Sequence, residues 1–386
     1  MPRHSALISH KSKSVRGLTP GCGREYLSWT MSALQSSSAG QSLRGATADL
    51  LRDLPSDAAF ALRTSAAALL ALYLAMSLHL DTPRWAAWTV LTVSVPSLDH
   101  AFVKSFYRMI GTIVGAAAGI VIVALFAQRP LVFDLAMALW AGACAFVGTR
   151  VRQYQSYALA LTWLTSGIVS YGSVADPNGA FIVAASRTAE VALGILCAGG
   201  AAILFDGHRV ATLVHAASPV PGQARRNGVR AGLAVMLASA FWYVSQWQDG
   251  PFFVLMSGAA ALLFAAHPSK VAATLGMLRG FLLGTLLGLF VRFALFTRSA
   301  SFGEETLVLL PFLMLGGIGL ADSRTQGPAT GYNLAFMLAA DPANTLSFDL
   351  GGALNEAMAM IFGVLVSIGA FLGLVPIRDL LHRDGA

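Results

Sequence analysis

From residue 58 to 375 the apolar residues stand in uninterrupted blocks, separated by short clusters of Pro, Gly, Asp and basic residues. Most blocks approach the ~20 residues with which a helix crosses ~30 Å of hydrocarbon. Twelve spans are expected, at 58–78, 84–97, 106–127, 131–149, 154–171, 180–205, 228–246, 250–267, 271–296, 304–321, 327–340 and 351–375, the second and eleventh being short. The pattern predicts an all-α integral membrane protein.

Composition agrees with this reading. Of 386 residues, 56% are hydrophobic and only 12% charged, with 38 glycines, which is not the profile of a soluble domain. Residues 1–57 are Ser-rich and basic, lack the apolar centre of a signal peptide and are expected to form a cytoplasmic tail, largely disordered; Met31 offers a second candidate start. Basic residues resist translocation. With the amino terminus inside, 19 of the 26 Lys and Arg fall on the cytoplasmic side, three in the membrane (Arg63, Arg187, Arg230) and four outside (Arg84, Arg129, Arg292, Arg298). Both termini are therefore expected in the cytoplasm. Anionic lipid of the inner leaflet accounts for the excess positive charge, so nucleic acid is not an expected partner. Cys22, Cys144 and Cys197 make neither a disulfide framework nor a CxxC site. HExxH, Walker and GxSxG motifs are absent, so no metal, no cofactor and no enzymatic activity are expected.

The chain also matches itself. Gly111-Thr112 and Gly115 have counterparts in Gly284-Thr285 and Gly288, and Pro96-Ser97 and Pro268-Ser269 precede them at similar distances. Ala175-Asp176-Pro177 is echoed by Ala340-Asp341-Pro342, Glu190 by Glu356, and Arg63 by Arg230. Two parallel six-helix repeats are expected at 58–205 and 228–375, with a cytoplasmic linker at 206–227 and a cytoplasmic tail at 376–386. Glycines four apart, Gly111, Gly115 and Gly119 with Gly284 and Gly288 in the second copy, suit close helix approach in lipid; the spacing predicts that Gly115→Leu fails and Gly115→Ala is tolerated.

Trp85 and Trp88, Pro96-Ser97, Arg108 with Gly111-Thr112-x-x-Gly115, and Gln155-Ser156-Tyr157 together resemble the fusaric acid resistance and aromatic acid exporter family. The resemblance implies a bacterial inner-membrane protein that exports aromatic and other organic acids, often beside a periplasmic adaptor. Plant malate channels look like distant relatives. The long family members carry large cytoplasmic domains for which this sequence has only a short linker and tail.

Charges inside spans are costly unless paired or hydrated. Arg63 and Arg230, each about a turn into a span, could draw a carboxylate inward or be held by lipid phosphate or a neighbouring carbonyl. Arg187 and Glu190 share a helix face, as a structural pair or as a site binding substrate and proton. Glu356 lacks an arginine nearby in sequence and is a candidate for proton coupling. Tyr157 and Asn333 are candidate polar contacts for substrate, with ordinary interfacial anchoring as the alternative. Arg108 and Arg279 read as snorkelling anchors, and Trp85, Trp88, Trp242 and Trp247 as an outer aromatic belt, with stacking on an aromatic substrate as the lesser reading. The functional expectation is proton-coupled export of an organic anion, with an aromatic carboxylate of the fusaric acid or hydroxybenzoate type as substrate. A passive anion channel and a non-transporting scaffold are the alternatives.

Overall fold

The computed structural model describes residues 55–151, 153–205, 222–299 and 301–373. The tail expected at 1–57 and the linker expected at 206–227 lie mostly outside the described residues, and the tail expected at 376–386 lies entirely outside them. The described chain forms twelve α-helices: α1 (Ser56–Ser77), α2 (Arg84–Val93), α3 (Leu98–Phe126), α4 (Pro130–Arg150), α5 (Gln153–Ser173), α6 (Ala180–Phe205), α7 (Gln223–Ser245), α8 (Gly250–Leu263), α9 (Lys270–Phe290), α10 (Phe302–Ala321), α11 (Gln326–Ala340) and α12 (Leu350–Leu372). A π turn, Val291–Leu295, and a 3-10 turn, Phe296–Arg298, extend α9. No strand occurs among the described residues.

Eight of these helices are long and apolar enough to cross a membrane; α2, α5, α8 and α11 are not among them. Three of the four are short, with α2 having 10 residues, α8 14 and α11 15, or roughly 15–22 Å at 1.5 Å per residue. The fourth, α5, has 21 residues but is more polar. All four lie in the interior: residues 331–340 of α11 are buried without exception, as are residues 85–91 of α2. A helix shielded by other helices can be short and polar because lipid does not solvate it. The eight longer helices carry the lipid-facing surface, and large apolar side chains such as Leu125, Leu139, Leu196, Leu286 and Leu307 stand exposed on them.

Helices α2 and α8 each stop four residues before the end expected from sequence, 93 against 97 and 263 against 267. Proline explains the first. Pro96 disfavours helical backbone at the residue before it, and Ser94 is already extended, with φ −65° and ψ 124°.

The packing has a paired pattern. Helix α3 lies on α5 as α9 lies on α11, α2 on α6 as α8 on α12, and α4 on α7 as α10 on α1. Across the two halves α2 meets α11, and α5 meets α8. Glycine sets the closest approaches. A Cβ on Gly111 would stand 2.5 Å from the Ala158 carbonyl oxygen, and one on Gly115 2.5 Å from that of Thr162. Gly119 is held against Val169 and the Ser166 carbonyl. In the other pair Gly280 faces the Pro328 carbonyl, Gly284 that of Tyr332, and Gly288 the Ala339 side chain. This corrects the expectation from spacing alone: even alanine collides with backbone at Gly115.

Candidate substrate path

Helices α1, α9 and α11 end, and α2, α6 and α12 begin, around one mouth of the bundle. A cavity of about 330 Å³ opens there, lined by Thr82, Arg84, Arg292, Asp341, Ser347 and Glu356 among others. Arg84, the first residue of α2, pairs with Asp341 at the end of α11 and lies 3.5 Å from Glu356 of α12. Arg292 lies 3.3 Å from the other Asp341 oxygen, and its Nε donates to the Ser347 carbonyl at 2.7 Å. The π turn after α9 carries Arg292 and leaves it buried. Glu356 therefore has a cationic partner after all, supplied from 272 positions away in the chain. Arg84 and Arg292, expected outside, belong to this network. At its edge Asn355 donates to Asp249, and the Trp247 indole N–H donates to the Asn355 oxygen at 2.6 Å. Burial raises the Asp249 carboxyl above the ordinary carboxylate range, and the Asn355 hydrogen bond opposes that rise.

Beneath the mouth, Arg187 Nη1 lies 2.9 Å from Glu190 Oε2, the two i,i+3 on α6. Glu190 Oε1 accepts from the Thr82 backbone N–H at 2.9 Å and from its hydroxyl at 2.8 Å. The Arg187 guanidinium covers the Trp85 ring at 4.3 Å, Trp85 meets Trp88 edge-on at 5.1 Å, and the Arg108 guanidinium covers Trp88 at 4.7 Å. Arg108 donates to the Thr89 hydroxyl at 2.9 Å and to the Tyr157 hydroxyl at 3.1 Å, and Lys104 lies 5.5 Å from the Tyr157 ring. A column of cations and aromatic rings thus follows α2 inward. Such contacts are worth ~0.5–2 kcal/mol each, more when desolvated.

Two expectations are corrected by this column. Arg108 does not snorkel: it is 2% exposed and roughly 15 Å along α3 from its start. Trp85 and Trp88 are no belt, since each is 6% exposed. Arg279, in contrast, is exposed, and Trp242 and Trp247 are half-buried.

The remaining candidates lie elsewhere. Arg63 is buried against the Phe60 ring at 4.9 Å and lines a small cavity with Ser94, Ser105 and Phe102. Fourteen residues of α1 separate it from the mouth at Ser77, roughly 21 Å. Arg230, half-buried on α7, has Lys270 as a charged neighbour. Neither joins Arg187. Asn333 is buried against Gly316 of α10, and only Tyr157 of the two polar candidates meets the column.

The glycine contacts also shift the correspondence between the acidic residues. Gly194 of α6 meets the Ala86 carbonyl and Thr89, and Gly363 of α12 meets the Phe253 carbonyl and Met256. Seven residues before each stand Arg187 and Glu356, so these two, not Glu190 and Glu356, hold corresponding places. Sequence spacing missed Thr82, Arg84, Arg108 and Arg292 as members of the site. Only Arg108 carried a local signal, its place in the motif with Gly111 and Gly115.

The fusaric acid resistance protein family matches this chain twice, over residues 57–219 and 209–384. An uncharacterized transporter of Gluconobacter oxydans is 33% identical over 158 residues, covering 39% of this chain and 21% of that protein. The p-hydroxybenzoic acid efflux pump subunit AaeB of Escherichia coli O1:K1 is 34% identical over 159 residues, covering 38% of this chain and 24% of AaeB, and that of Shigella boydii serotype 18 gives the same values. The match thus spans about a quarter or less of these relatives' length. No solved structure matches the chain.

Proposed function

This chain belongs to the fusaric acid resistance protein family, and on that footing we propose that it exports organic anions, aromatic carboxylates above all, across a bacterial inner membrane and at the expense of a proton gradient. The observation that carries the reading is the buried column of Arg187, Trp85, Trp88 and Arg108 beneath an open mouth. Guanidinium suits a carboxylate and indole suits an aromatic ring; the two together fit a molecule that has both. The AaeB relatives, named for p-hydroxybenzoic acid, point to the same chemistry. In this reading Arg187, with Tyr157, contacts substrate on the way, Arg63 and Arg230 attract it at the opposite end, and Glu356 and Glu190 are the proton-carrying candidates. Asn333 has a packing role. A periplasmic adaptor protein is the proposed partner.

The test is accumulation of labelled 4-hydroxybenzoate in inverted vesicles under an imposed proton gradient. Uphill accumulation that an uncoupler abolishes is expected. Flux only down the anion gradient would make the protein a channel, and no flux over a broad panel of acids would make it a scaffold.

We further propose two parallel six-helix repeats with both termini in the cytoplasm. Recurrence of the helix pairs and the double family match support the repeat. Ser173, at the end of α5, is buried, whereas Asn178, Thr345, Arg226 and Ser323 are exposed. In a background without Cys22, Cys144 and Cys197, single cysteines at 178 and 345 are expected to react with an impermeant maleimide on intact cells, and those at 226 and 323 only after lysis. Labelling at 226 before lysis would exclude the parallel arrangement.

A further inference from the structure

The charges along the path do not balance uniformly. At the mouth, Arg84 and Arg292 are matched by Asp341 and Glu356, and below them Arg187 by Glu190. Deeper in, Arg108 is 2% exposed, yet among the described residues it forms an ion pair with no carboxylate. The nearby cation, Lys104, adds to the excess. An arginine cannot escape this cost by releasing its proton, and a buried charge without a counter-ion is destabilising.

The hydrogen-bonding groups around Arg108 are likewise unbalanced. Its Nε and the Trp88 Nε1 are buried N–H donors without an acceptor among the described residues. The Tyr157 oxygen accepts from Arg108, which leaves the phenolic proton available to a further acceptor. The Thr89 hydroxyl accepts from Arg108 and donates its one proton to the Trp85 carbonyl at 2.8 Å, so it offers no further donor. What complements these donors is a singly charged species with acceptors only, which describes an ionised carboxylate.

The corresponding position of the other half is built differently. Gly111 meets the Ala158 carbonyl as Gly284 meets that of Tyr332. Three residues before the first glycine stands Arg108, and three before the second, Phe281. One residue before Ala158 stands Tyr157, and one before Tyr332, Gly331. Phe281 is fully buried, and its ring would lie 3.0 Å from a Cβ at Gly331. Hydrocarbon fills in one half the position that a hydrogen-bonded guanidinium holds in the other.

We infer that Arg108, Tyr157 and Trp88 form the carboxylate-binding site of the transport path, one per chain and in the first half only, with Trp85 and Trp88 selecting an aromatic acid. This rests on the proposed export of organic anions and assigns the substrate carboxylate to a deeper residue than Arg187. The test is equilibrium binding of labelled benzoate to the full chain in nanodiscs, with melting temperature as the check on folding. Wild type is expected to bind one benzoate per chain and to prefer it over cyclohexanecarboxylate, with Arg108→Gln weakening binding at least tenfold and Arg108→Lys retaining part of it. Should Arg108→Gln not be produced, Tyr157→Phe, which keeps ring and charge, is expected to weaken binding about threefold or more. Unchanged affinity in a folded Arg108→Gln or, failing that, Tyr157→Phe protein overturns this inference alone, as do two sites per chain or equal displacement by chloride. Failure of wild type to bind any of a panel of aromatic acids overturns it together with the export reading.

Discussion

Gly284→Ala is expected to remove most of the folded protein, and Gly115→Ala to do the same less completely. At both positions the added methyl meets a carbonyl oxygen of the facing helix, Tyr332 at Gly284 and Thr162 at Gly115. Backbone cannot rotate aside as a side chain can, so α9 must separate from α11, or α3 from α5, over several turns. Overpacking of this kind costs ~1–3 kcal/mol, and lipid supplies no hydrophobic force to press the helices together again. Gly200 is the control: it is exposed on α6 with nothing within 4 Å of an added Cβ, and alanine there gains up to ~1 kcal/mol of helix propensity. Monodisperse yield after detergent extraction and melting temperature measure the difference. Wild-type melting of Gly284→Ala would mean that the α9 and α11 pair is not held at this distance.

Glu356→Gln is expected to abolish uphill accumulation, by tenfold or more, while downhill exchange of labelled for unlabelled acid persists. The reason is the position of Glu356 in a four-member network in which Asp341 serves two arginines and Arg84 serves two carboxylates. A proton on Glu356 leaves Arg84 held by Asp341 alone, on the wall of the cavity. The anion and the proton would thus compete through Arg84. Glutamine fixes the neutral state, and Arg84→Gln is expected to uncouple in the same way. Glu190→Gln differs, because Glu190 is fully buried and holds Arg187 as well as the Thr82 amide and hydroxyl. Removing one partner of a buried pair costs ~3–5 kcal/mol, so reduced yield is expected there before any effect on coupling is seen. Proton-driven accumulation by Glu356→Gln at the wild-type level would remove Glu356 from the mechanism.

Much of the architecture was legible in the chain because a membrane helix is specified by local composition: a continuous apolar block must satisfy its backbone internally, and blocks of about the right length mark where it does so. Twelve apolar segments, the family motif around Gly111 and Gly115, and the prolines at 96 and 268 could all be read that way. The internal match was legible too, since repeated contacts demand repeated small residues. Composition did not reveal which helices are interior. The sign lay in the shortness of α2, α8 and α11 and the polarity of α5, which became interpretable only once longer helices were seen around them.

The site itself was decided by tertiary structure. Arg84 and Glu356, or Arg108 with Thr89 and Tyr157, come from separate helices, and nothing local marks one as the partner of another. Sequence spacing pairs i with i+3, and so it found Arg187 with Glu190 and left Glu356 without a partner. It also assigned Arg108 and the two tryptophans to the lipid interface, where isolated side chains of those types are most stable. Within the bundle the balance reverses. Excluded from water and from headgroups, a guanidinium is stabilised only by the hydroxyls, rings and anions that packing brings within reach, and packing, unlike apolarity, is a property of several helices at once.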